Sequence, residues 1–120
     1  MATPYTTFVA RRNAKFEELY NEVTQNLDEI AERILSRGGK PVATLKEHLE
    51  LSLIKEATGN ETTEQMVEST ITDFKTIMQA LKKVMNAAAE EGDDRTEDLL
   101  NATYQSVEKH VWMLNAFLGN

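Results

Sequence analysis

Apolar residues at Phe16, Leu19, Tyr20, Val23, Leu27, Ile30 and Ile34 recur in steps of three and four, the repeat of one buried helical face. The pattern predicts a helix over about 13–37, stopped by Gly38-Gly39, because glycine takes up the left-handed turn that ends a helix. After Pro41, the segment TLKEHLELSLIKEA begins with Thr44 and Glu47 in capping-box spacing and predicts a short helix over about 44–56. A third helix, over about 62–90, opens on Thr62 and Gln65 at the same spacing. It carries Met66, Val67, Thr70, Ile71, Phe74, Ile77, Met78, Leu81, Val84, Met85 and Ala88 on one stripe. The turn EEGDD ends it, and Asp94 with Glu97 supplies the start of a fourth helix, over about 94–118. Leu99, Leu100, Thr103, Val107, Val111, Leu114, Phe117 and Leu118 form its apolar face.

The expectation is therefore an all-α chain of three long helices and one short connecting helix. A bundle normally closes with four long helices, so the exposed parts of these faces predict completion by other copies of the chain. Residues 1–13 read as a divergent N-terminal segment. With 120 residues, the chain supports a single domain, 1–120.

Charge and composition narrow the chemistry. Twenty acidic against 13 basic residues, net −7, oppose a surface that tracks nucleic-acid phosphates. The absence of cysteine excludes disulfides, thiolate zinc sites and thiol nucleophiles, and leaves His and carboxylate as the strong metal ligands. No apolar run reaches the roughly 20 residues of a membrane span, and a cytoplasmic location is the expectation. His48, among Lys46, Glu47 and Glu50, reads as a surface residue, and His110 in EKHVWML as a structural one. Neither has a partner that suggests a catalytic triad, and no glycine-rich phosphate loop is present.

The acids of the first helix are more informative. At 100° per residue, Glu17, Asp28 and Glu32 share a face that the apolar stripe does not use. Asp28 and Glu32 are one turn apart and could chelate one cation. Glu17 lies about 16 Å away along the axis, so it could join them only from an antiparallel, twofold-related copy. A solvated acidic face is the alternative reading of the same pattern.

AKFEELYNEV, LDEIAERIL, GGKPVATLKEHLE, IKEAT, EEGDD and EKHVWMLNAFLG, spread over Ala14 to Gly119, resemble the Dps family of bacterial mini-ferritins. The resemblance implies a ferritin-like bundle and a hollow oligomeric shell that oxidises ferrous iron, usually with hydrogen peroxide, and stores the ferric product. It implies that Asp28 and Glu32 are the ligand pair at a twofold interface, with Glu17 as a further acid. His110 and Trp112 match the family's KHxWM segment. Asp94 and Asp98 match acids that line pores for iron in relatives, with Ala89 where a further pore acid would stand.

The chain departs from the family pattern in two respects. The first long helix and the segment that carries a ligand histidine have no counterpart, and the position of a second ligand histidine is Asn13, a weaker donor for ferrous iron. Shortening also predicts partly uncovered apolar stripes. The expected function is iron binding, oxidation and storage in a homo-oligomer, with an incomplete ferroxidase site. A non-catalytic oligomeric relative is the alternative. Arg11, Arg12 and Lys15 are the only cations of the N-terminal segment, which argues against direct DNA binding.

Overall fold

Thr62 caps the second of the long helices as its spacing predicts: its side chain accepts from the Gln65 amide at 3.1 Å, and the Gln65 side chain accepts from the Thr62 amide at 2.9 Å. Two amides that a helix start leaves unpaired are thereby satisfied. In the computed structural model, which describes residues 4–36 and 62–119, the long helices are α1 (Pro4–Ser36), α2 (Thr63–Glu90) and α3 (Asp94–Phe117). The short helix expected over 44–56, with His48, lies outside the described residues.

Between α2 and α3 the chain reverses in three residues. Gly92, at φ +71°, donates to the Ala89 carbonyl at 3.1 Å, and Asp93 donates to the Ala88 carbonyl at 2.9 Å. This pair of bonds closes the end of α2 and requires a left-handed residue at Gly92. Asp93 then begins α3, its carboxylate accepting from the Thr96 amide at 3.3 Å. The cap is thus Asp93 rather than Asp94, because the residue that completes the α2 terminus also starts the next helix.

Helix α1 begins at Pro4, nine residues before the start read from periodicity. Proline is well suited to a first helical position, and no breaker follows it before Ser36. Of residues 10–15 only Arg12 is half-buried and the others are exposed, so no apolar repeat marks this part. Across residues 10–15 the helix continues by propagation, each residue gaining a backbone hydrogen bond.

Contacts between the helices define their directions. Arg12 meets Thr63 and Tyr20 meets Asp73, so α1 and α2 run parallel. Glu22 meets Ser106 and Arg33 meets Asp93 and Thr96, so α3 runs antiparallel to α1. Phe16, Tyr20, Val23, Leu27 and Ile30 from α1 pack with Met66, Val67, Ile71, Phe74, Ile77 and Leu81 from α2 and with Leu100, Val107 and Val111 from α3. Phe74 is fully buried, and the Tyr20 ring meets it edge-on at 5.5 Å.

The three described helices bury most of their own stripes, more than a shortened bundle predicts. Phe117 is the exception: expected in the core, it is 64% exposed, beside Trp112 at 69% and Met113 at 51%. Leu114 and Leu118, on the same last turns of α3, still pack against the core, and Phe117 points away from it.

Candidate functional site

Asp28 and Glu32 lie on the unbroken α1 helix, one turn apart, which separates their backbones by about 6 Å along the axis. Glu32 and Glu17 are exposed and Asp28 is half-buried, while Leu27 and Ile30 beside them point into the core. The three acids therefore occupy the face away from α2 and α3. Among the described residues of one chain, no three His, Asp or Glu side chains gather into a group able to hold a metal ion. The straight helix keeps Glu17 three turns from the Asp28 and Glu32 pair.

Asn13, also exposed, accepts a hydrogen bond from Arg12 Nε at 3.4 Å. Asp94 and Asp98 are exposed on the first turns of α3, and Ala89 is exposed at the end of α2. Carboxylates at a helix start are favoured by the partial positive charge of its unpaired amides. A structural role alone thus suffices for Asp94, whereas Asp98, one turn further along the same helix, adds a second negative charge to that surface.

His110 is far from these acids. Its Nε2 stands 3.3 Å from Glu22 Oε1, which accepts from the Ser106 hydroxyl at 3.1 Å, and its ring lies 6.3 Å from that of Phe74. The Nε2 atom is buried and has no aligned hydrogen-bond acceptor or donor, so the contact with Glu22 is electrostatic and depends on a protonated imidazole. His110 is a half-buried residue at the α1–α3 seam, as its position beside an apolar face implies. Periodicity does not reveal the Glu22 partner, although Ser106 and His110 at i and i+4 share one side of α3.

A second polar junction was also invisible to spacing. Arg33 Nε donates to the Thr96 hydroxyl at 3.2 Å, and Nη2 lies 3.5 Å from Asp93 Oδ1. It joins the end of α1 to the start of α3, 60 residues away in sequence.

The family model for the ferritin-like domain matches residues 11–120. The chain belongs to the ferritin-like family. Among proteins similar to this ferritin-like chain, general stress protein 20U of Bacillus subtilis (strain 168) is 55% identical over 105 residues, covering 88% of the chain and 72% of the relative. DNA protection during starvation protein 2 of Bacillus anthracis is 55% identical over the same shares. A crystal structure of a Dps protein from Bacillus brevis superimposes with a TM-score of 0.70 at 44% identity, covering 98% of this chain and 76% of that one. The ferritin-like, Dps-type assignment made from the segments between Ala14 and Gly119 therefore holds, and so does the all-α fold. No described helix is long and apolar enough to cross a membrane.

Proposed function

We propose that this chain is the subunit of a Dps-type mini-ferritin, which binds ferrous iron, oxidises it with hydrogen peroxide and stores the ferric product in a homo-oligomer. The reading rests on one observation above all: Asp28 and Glu32 stand one turn apart on the face of α1 that the core leaves unused. Two carboxylates there hold a divalent cation only in part, and Glu17 from a twofold-related subunit supplies the third oxygen donor. Each ferrous ion gives up one electron, and two such electrons with two protons reduce hydrogen peroxide to two waters. Asp94 and Asp98 draw cations toward the oligomer at the start of α3, consistent with the net charge of −7.

Asp28, Glu32 and Glu17 offer only oxygens, and an oxygen-only set binds ferrous iron less tightly than one with imidazole. Magnesium or manganese competes for the same carboxylates. Two relatives carry names that describe DNA protection or general stress. For this acidic chain, such protection acts through removal of ferrous iron and peroxide, without contact to the duplex. The test is peroxide-dependent iron oxidation by the purified oligomer. The rate should exceed a buffer control and be lost in the Asp28→Ala, Glu32→Ala double variant; an unchanged rate in that variant rejects the site.

A second reading has its own support: Asn13 stands where the family resemblance places a histidine donor. On that reading the chain is a non-catalytic assembly partner. It requires an oligomer whose iron oxidation equals the buffer control.

A further inference from the structure

Near the start of the described α1 side chains and the end of α3, the two helices flank a half-open groove of about 580 Å³. Phe16, Leu19, Met113, Leu114 and Phe117 make its lining largely apolar. Arg12 stands at its lip, with Lys15 one turn on and paired with Glu18 at 3.7 Å. Arg12 itself bonds only neutral oxygens. Its Nη1 donates to the Thr63 hydroxyl at 3.1 Å and its Nε to the Asn13 amide oxygen, and no carboxylate neutralises it among the described residues. Arg12 is thus a cation held to a second helix by a neutral hydroxyl, and Lys109 adds a further positive charge to the groove wall. Glu22, the acid deeper in the groove, is engaged by Ser106 and His110.

A guanidinium over an apolar trough is complementary to an anionic head on an alkyl tail. We propose that this groove binds a single-chain fatty carboxylate, its carboxylate on Arg12 and its alkyl chain along Phe16, Leu19, Met113 and Phe117. Guanidinium and carboxylate match in planar, two-pronged geometry. The volume falls within the roughly 300–1,000 Å³ of small-molecule sites. A concave trough suits one chain better than the flat surface of a bilayer. The proposal goes beyond the iron-handling reading and uses none of its residues.

Calorimetric titration with dodecanoate below its micellar concentration tests it. Binding should be saturable, and it should weaken at least tenfold on shortening to octanoate, since each buried methylene contributes about fourfold in affinity. Arg12→Gln should weaken dodecanoate about tenfold and leave the neutral dodecanol unchanged. Met113→Glu, at a half-exposed position where folding can be verified by circular dichroism, should abolish both. Equal binding of dodecanoate to wild type and Arg12→Gln overturns the proposal. So does binding to anionic vesicles with none to free dodecanoate, which would make this a membrane contact. Absence of saturable dodecanoate binding to the purified oligomer overturns it as well.

Discussion

The Tyr20 hydroxyl donates to Asp73 Oδ2 at 2.9 Å and lies 3.5 Å from the hydroxyl of buried Thr70, whose own proton goes to the Met66 carbonyl at 2.8 Å. Tyr20 is 1% exposed, so this bond sets the register of two parallel helices at the centre of the core. Tyr20→Phe keeps the ring contact with Phe74 and removes the donor to a charged acceptor. The expected loss is about 1–2 kcal/mol in urea unfolding. Tyr20→Ala should cost about 3–5 kcal/mol, because it also leaves a cavity. Equal losses for the two variants would show that the hydroxyl, and not the ring, carries the whole effect.

Gly92 is the conformational requirement of the hairpin. A Cβ there would meet nothing within 4 Å, so any cost of Gly92→Ala comes from the backbone at φ +71° and not from crowding. Destabilisation of about 1 kcal/mol is expected, with Gly92→Asn milder because asparagine tolerates the left-handed region. Thermal unfolding of the two variants measures this directly.

Asp93 serves α3 as its cap and α1 through Arg33. Asp93→Ala should therefore cost more than a cap alone, about 1–2 kcal/mol. In a double-mutant cycle with Arg33→Ala, the coupling should be positive yet below about 1 kcal/mol, since both side chains keep some access to water. A coupling of zero would mean that the two residues act separately.

If Glu17 of one subunit completes the Asp28 and Glu32 pair of another, two inactive chains can repair each other. In a mixed twofold pair, Glu17→Ala and Asp28→Ala/Glu32→Ala chains would leave one complete site and one empty of ligands. Random pairing should restore about a quarter of the wild-type iron-oxidation rate. No recovery after refolding the mixture, with oligomers formed, would place all the ligands in one chain or remove the site.

Much of the fold is readable from residue pattern. The Thr62 and Gln65 box, the glycine in EEGDD and the stripe from Met66 to Ala88 each act over a few residues, so their spacing suffices to locate α2 and its ends. The start of α1 was not read at Pro4, because the largely exposed stretch 10–15 interrupts the apolar repeat. Nor was the exposure of Phe117: an apolar residue at the right spacing carries no information about whether another helix reaches it. The candidate acids divide in the same way. Helical geometry sets Asp28 and Glu32 one turn apart, but whether Glu17 meets them depends on a second chain.

Sequence by itself determined the helical segments, the Asp28 and Glu32 spacing and the resemblance that the family match bears out, since all of these follow from local periodicity and motif. Tertiary structure decided the parallel packing of α1 on α2, the Tyr20–Asp73 and Arg33–Asp93 bonds, and the cationic lip of the Phe16–Phe117 groove. Those features join residues roughly 50 to 100 positions apart. Their formation depends on the free energy of closing and packing the chain, which no local pattern encodes.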